Sequence, residues 1–304
     1  MNRLVMRHSL LLLLTAAIWG FAFVAQSVGM DYVGPFTFTA VRSIIGGVVL
    51  LPFIAFRERK KNKEESTEKT NLRLLFPGGI LCGLLLCIAS NLQQIGIQYT
   101  TVGKSGFVTA MYIVLVPVLG IFLRKKTGWQ IWTAVGIAVP GLYFLCMTDG
   151  SFVMERGDVL TLFCALAFSF QILLVDHFAP LVDGVKLACI QFFTCGILSA
   201  LPMLFLEQPK PEQILAAWLP ILYAGVLSNG VAYTLQIIAQ RGMNPTVASL
   251  LMSMESVFSV LAGWLILHQM LNSREMTGCV LMFAAIMLVQ INFKKKVTVQ
   301  DALE

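Results

Sequence analysis

The residue most able to do chemistry is Glu255, the only charge in Pro245–Leu267, a run of 23 residues. Wound as a helix at about 100° per residue, the run splits into two arcs. Leu250, Leu251, Met254, Val257, Phe258, Leu261 and Leu265 form a bulky apolar arc, and serines, alanines and glycine fill the other. A run of about 20 apolar residues crosses a bilayer, and a carboxylate facing lipid at mid-span costs about 2–4 kcal/mol or more. Glu255 is therefore expected to face inward, to bind a cation or exchange a proton. The structural alternative is a neutral glutamate hydrogen-bonded to a neighbouring helix.

Amides form the second signal. Cys87, Asn91, Gln94 and Gln98 fall within about 60° of arc on one helix, and Asn229, Tyr233, Gln236 and Gln240 do the same on another. Buried amides need partners, so two matching stripes either line an aqueous path or join helices across an interface. Trp19, Phe23 and Gln26 share a face of the first apolar run, and Gln171 stands among aromatics in the sixth. Two cations lie in or beside apolar runs. Arg42 sits about two turns inside its span and is a candidate anion contact. Lys104 is expected to snorkel towards water, with anion binding as its functional alternative. Gly103-Lys104-Ser105 is not a phosphate loop, because Gly96 is too far upstream and no strand precedes it.

Composition says what must position these groups. Of 304 residues, 57% are hydrophobic and 12% charged, with a mean hydropathy of +0.79. Soluble domains carry about 25% charged residues, so the chain reads as an all-α polytopic membrane protein. Seven cysteines and three histidines lack disulfide, zinc or HExxH spacing, so no metal and no cofactor are expected. A membrane-embedded enzyme would need clustered acids or histidines within the bilayer, and an enzyme is not expected.

Ten spans are expected: Ser9–Gly29, Pro35–Phe56, Leu74–Tyr99, Val102–Leu123, Trp129–Met147, Asp158–Val175, Val185–Leu206, Ala216–Gln240, Pro245–Leu267 and Thr277–Phe293. The basic start followed by an apolar run resembles a signal peptide, but its length and the absence of an A-x-A site favour an uncleaved first helix. Arg57–Arg73 is the long polar loop of the first half. With the N-terminus inside, seventeen Lys and Arg fall in cytoplasmic segments, against Arg156, Lys210 and Arg274 outside. This asymmetry places both termini in the cytoplasm. The net charge of +6 is then explained by the anionic inner leaflet, with no nucleic acid as partner.

Five spans on each side of a polar centre imply duplication. A shift of 142 lays Gly83 on Gly225, Gln94 on Gln236, Ile95 on Ile237 and Gln98 on Gln240, while Leu51-Pro52 recurs as Leu201-Pro202 at a shift of 150. Because five is odd, the halves enter the membrane from opposite sides, as two inverted five-helix repeats. The expected units are residues 1–147, an external connector at 148–157, residues 158–293, and a cytoplasmic tail at 294–304. The fourth span carries Tyr112 and Pro117 where the ninth carries Glu255.

The residues also resemble the EamA-type family of the drug/metabolite transporter superfamily, over nearly the whole length. The likeness rests on the two five-span halves, on Ala17-Ile18-Trp19-Gly20, and on Arg42 ahead of Leu51-Pro52. It rests further on Met254-Glu255-Ser256-Val257-Phe258 leading into Ala262-Gly263-Trp264-Leu265. Ser256 stands where the family often has proline, and His268-Gln269 where it often has Gly-Glu. The resemblance implies an alternating-access carrier of the plasma (inner) membrane, with a central cavity lined by spans one, three, four, six, eight and nine. It implies export of a small organic solute, such as an amino acid, related metabolite or drug, with import as the alternative and a proton as candidate coupling ion. The fifth and tenth spans would be peripheral, a candidate homodimer contact.

Overall fold

The computed structural model describes residues 3–63, 71–100, 102–124, 127–146, 155–267 and 272–300. Backbone groups inside a bilayer must pair within their own segment unless strands close into a barrel, and the described residues form helices with no strand. Eight stretches among them are long and apolar enough to cross a membrane, judged by length and composition.

In chain order, α1 (Arg3–Gly29), α2 (Pro35–Lys63) and α3 (Leu72–Ile97) are followed by α4 (Val102–Ala110), α5 (Tyr112–Phe122) and α6 (Trp129–Cys146). After them come α7 (Arg156–Phe178) and α8 (Gly184–Pro202), the latter running into a π-helical turn, Met203–Glu207. Then follow α9 (Pro211–Ala216), α10 (Trp218–Leu222), a π-helical segment at Tyr223–Tyr233, α11 (Thr234–Gln240), α12 (Pro245–Met252), α13 (Glu255–Leu267) and α14 (Ser273–Gln300). Arg57–Arg73 is not all loop. Helix α2 continues to Lys63, since Lys, Arg and Glu are good helix formers and Arg57 and Glu58 find partners in Asp183 and Lys186.

Four expected spans are not single α-helices, one of them being Val185–Leu206, which ends in the π-helical turn at Met203. Val102–Leu123 breaks at Met111, six residues before Pro117, whose ring crowds the Ile113 carbonyl. Pro245–Leu267 breaks at Ser253–Met254. There Ser249 and Ser253 donate their hydroxyls to the Thr246 and Leu250 carbonyls, at 2.9 and 2.8 Å. Such local bonds compete with the helical ladder, and Met254 N reaches back three residues to Leu251 O. Between Ala216 and Gln240 the middle eleven residues are π-helical, with i→i+5 bonds and a wider turn.

Packing follows from these segments. Helix α3 lies along both α7 and α8, α2 lies along α8, and α1 crosses α13 and runs beside Tyr223–Gln240. Helices α6 and α14 pack along one another. The α2–α8 pair is tied at both ends. At one, the Glu207 carboxylate accepts Phe36 N at 2.9 Å and Thr37 N at 2.7 Å, satisfying free donors of the first turn of α2. At the other, Arg57 meets Asp183 at 3.6 Å and Lys186 pairs with Glu58.

Candidate functional site

The two broken helices meet at their breaks. Tyr112 opens α5 and Glu255 opens α13, and the Tyr112 hydroxyl donates to Glu255 Oε1 at 2.9 Å. Each break frees the backbone of a helix start in the interior of the protein, and a carboxylate in the first turn of α13 suits the dipole of that helix. Both side chains are buried, Glu255 at 5% exposure and Tyr112 at 3%.

They open onto a cavity with an empty volume of about 480 Å³. Trp19, Phe23 and Gln26 enter it from α1, Arg42 from α2, and Gln171 from α7. Tyr233 and Gln236 reach it from either side of the π-to-α junction at Thr234. Trp19 donates its indole Nε1 to the Ser228 carbonyl at 3.4 Å, and its ring lies 4.6 Å from that of Tyr233 at 57°. Gln236 Nε2 donates to Gln171 Oε1 at 3.4 Å, and Gln171 Nε2 donates to Gln191 Oε1 at 3.2 Å, a chain of amides leading from the cavity into α8. Arg42 is 3% exposed and its guanidinium stands 5.5 Å from the centre of the Phe38 ring. Its Nε has no hydrogen-bond partner among the described residues. No ion pair joins it to Glu255, although both line this cavity.

The other expected wall residues point elsewhere. Asn91 Nδ2 donates to Ser199 Oγ and to the Cys87 carbonyl, each at 2.8 Å, joining α3 to α8. Gln94 donates to the Gln26 carbonyl at 3.1 Å, joining α3 to α1. Gln98 is exposed just beyond the end of α3. Asn229 donates to Ser43 Oγ at 3.3 Å, joining the π segment to α2. Gln240 is fully buried off the cavity, its amide atoms unpartnered among the described residues. The backbone of Lys104 lies in α4, while its side chain falls outside the described residues. Two causes separate these residues from the cavity. Helix α3 is buried on more than one side, so its amides serve several neighbours. The π segment changes the angle per residue, so a stripe drawn at 100° does not stay on one face.

The cavity also holds residues outside the expected set: Gln93, Thr109, Phe168, Ile172, Ser228 and Met252. Gln93 Nε2 donates to Thr109 Oγ1 at 3.2 Å. A usable signal was present in the fourth and ninth spans, where Pro117 and the serines at 249, 253 and 256 mark sites of helix interruption. Corresponding interruptions in two halves are a pointer to a binding site. Among the described residues no group of three or more His, Cys, Asp or Glu is placed to hold a metal ion.

These placements separate two glutamines. Gln236→Leu should lower activity about tenfold, because it removes a buried hydrogen bond and leaves Gln171 Oε1 without its donor. Gln98→Leu should leave activity within about twofold, as for an exposed substitution away from any site. Initial flux rates at matched protein incorporation would compare them, and equal effects would contradict the placement.

Comparison with known proteins gives four findings. The model of the EamA-like transporter family matches residues 6–147 and again 155–291. An uncharacterized transporter of Archaeoglobus fulgidus is 29% identical over 281 residues, spanning 92% of this chain and 84% of that protein. The threonine/homoserine exporter RhtA of Escherichia coli K12 is 25% identical over 300 residues, spanning 96% and 94%. A crystal structure superposes with a TM-score of 0.79 at 17% identity, over 95% of this chain and 98% of the other, a likeness of fold.

Proposed function

Starting from the fact that the chain belongs to the EamA-like transporter family, and so is an integral, multi-pass membrane transporter of a small molecule, we propose that it is a secondary exporter of small organic solutes such as amino acids or related metabolites. The observation that carries this is the cavity of about 480 Å³, which brings the buried Arg42 and Glu255 together at two interrupted helices. The choice of solute class and of export draws on the likeness to RhtA, which is named a threonine/homoserine exporter. Import on the same fold is the alternative direction.

The proposed architecture is ten spans in two inverted repeats, 1–147 and 158–293, joined by an external connector at 148–157, with both termini and the 294–304 tail in the cytoplasm of a plasma-membrane protein. Two observations support the repeat. The family model matches twice along the chain. Helix contacts also exchange between halves: α3 packs on α7 as α1 packs on Tyr223–Gln240, and α4 and α5 pack on α7 as α13 packs on α1. The pairs α2–α8 and α6–α14 map onto themselves, and α6 with α14 is the proposed contact for a second copy.

In this reading the solute binds between the halves and the halves rock about the tied α2–α8 pair. Trp19, Phe23 and Tyr233 bound the pocket, and Gln26, Gln171 and Gln236 offer hydrogen bonds. Glu255 meets a cationic group of the solute or carries a coupling proton, and Lys104 is retained as a proposed anion contact on the approach. Counterflow tests the assignment. Purified protein in liposomes loaded with unlabelled amino acids should transiently accumulate a labelled one, and failure to exchange any small solute would overturn it.

A further inference from the structure

The cavity contains a basic and an acidic side chain that do not pair with each other. Arg42 comes from α2 and Glu255 from α13, and no ion pair joins them. Glu255 Oε1 takes the Tyr112 hydroxyl. Arg42 has the Phe38 ring at 5.5 Å, a contact worth about 0.5–2 kcal/mol, which is small beside the cost of an unpaired buried charge. Gln26 Oε1 and Gln236 Oε1 are also buried on this cavity without partners among the described residues. Buried unpaired polar atoms call for an explanation, and a missing ligand is one.

A simple anion would answer Arg42 and leave Glu255 unpaired, while a simple cation would do the reverse. A solute carrying both groups answers both side chains. Part of the wall is apolar, with Phe168, Ile172 and Met252. We propose that the cavity recognises a zwitterion, an α-amino acid, by seating its carboxylate on the Arg42 guanidinium and its ammonium on Glu255 and the free glutamine oxygens, with the side chain against Phe168, Ile172 and Met252. This rests on the transport reading and makes Arg42 and Glu255 the residues that set solute orientation. Arginine suits the first role because its planar fork matches a carboxylate in a two-point contact.

The test measures thermal stabilisation of the purified full-length protein by each of the twenty protein amino acids singly. The amino acids that stabilise it are then compared with two truncated analogues, the decarboxylated amine and the deaminated acid. At least one amino acid should stabilise it, and both analogues should bind about tenfold or more weakly, the loss expected for one charge-assisted hydrogen bond. Arg42→Gln should bind the amine as well as the parent amino acid, Glu255→Gln should bind the acid as well as the parent, and Arg42→Lys should restore part of the preference for the carboxylate. Should Arg42→Gln fail to fold, the wild-type comparison with the analogues still decides. The inference is overturned if no amino acid stabilises the protein, if either analogue matches its parent in the wild type, or if Arg42→Gln keeps full discrimination. Counterflow of a lone amine or acid, with amino acids inert, would leave the transport reading standing while removing the zwitterion.

Discussion

Replacing Glu255 with glutamine is expected to lower flux by about a hundredfold while leaving membrane insertion and folding intact, since a hydrogen bond between the carboxylate and a charged group of the solute is worth about 1.5–3 kcal/mol. The substitution keeps the shape of the side chain, and the amide oxygen can still accept the Tyr112 hydroxyl now 2.9 Å from Oε1. What it removes is the negative charge and the exchangeable proton. If Glu255 holds a cationic group of the solute, binding weakens; if it carries a coupling proton, exchange continues but transport against a gradient stops. Initial rates in proteoliposomes at matched protein content, with and without an imposed proton gradient, separate the two outcomes. Wild-type flux across the whole pH range would remove Glu255 from the mechanism and return it to a structural role.

The second large effect is expected at Gly20, where α1 crosses α13. A Cβ built there would collide with Phe258 Cβ and stand 2.8 Å from the Glu255 carbonyl oxygen. Small residues let membrane helices approach closely, and here the approach sets the position of the helix start that carries Glu255. Gly20→Val should lower stability by about 1–3 kcal/mol or more, the cost of overpacking a dense interior. It should also impair flux, because α13 must shift outward. Gly20→Ala should show the same effects in smaller measure. Thermal unfolding in detergent measures the first effect, and an unchanged midpoint for Gly20→Val would contradict the crossing geometry.

Some of these placements are legible in the chain and others are not, each for a physical reason. Glu255 could be read as inward-facing because the cost of a charge in lipid depends on little besides its depth. Trp19, Phe23 and Gln26 could be placed together because α1 is one unbroken helix on that face. The amides of α3 were harder. Asn91 and Gln94 are buried as expected, but against α8 and α1, and the residue that reaches the cavity is Gln93. A helix surrounded by neighbours has several polar contacts to satisfy, and periodicity does not say which face meets open space. In the eighth span Tyr233 and Gln236 reach the cavity, while Asn229 turns to Ser43. The π segment Tyr223–Tyr233 causes that divergence, and no residue pattern in it announces i→i+5 bonding. The breaks at Met111 and at Ser253–Met254 were not expected, because Pro117, Ser249 and Ser253 also fit an unbroken span until the hydroxyls are seen to bond back to the helix.

The cavity acquires its meaning from these interruptions. Tyr112 and Glu255 begin helices that an unbroken span would have continued, and their hydrogen bond joins the fourth and ninth spans at the site itself. A change in either half therefore reaches the other through the residues expected to hold the solute. The two tied ends of α2 and α8 leave that pair as the natural axis for such a movement.

Transport by the proposed mechanism requires that this cavity open to each side of the membrane in turn. The most direct measurement is the accessibility of a cysteine placed on its wall, Thr109→Cys, in a protein whose seven native cysteines have been replaced. A membrane-impermeant thiol reagent should modify it from the cytoplasmic face in inside-out vesicles and from the external face in right-side-out vesicles, and a transported solute should slow both reactions. Modification from one side only, or rates indifferent to every solute that the protein exchanges, would contradict that mechanism.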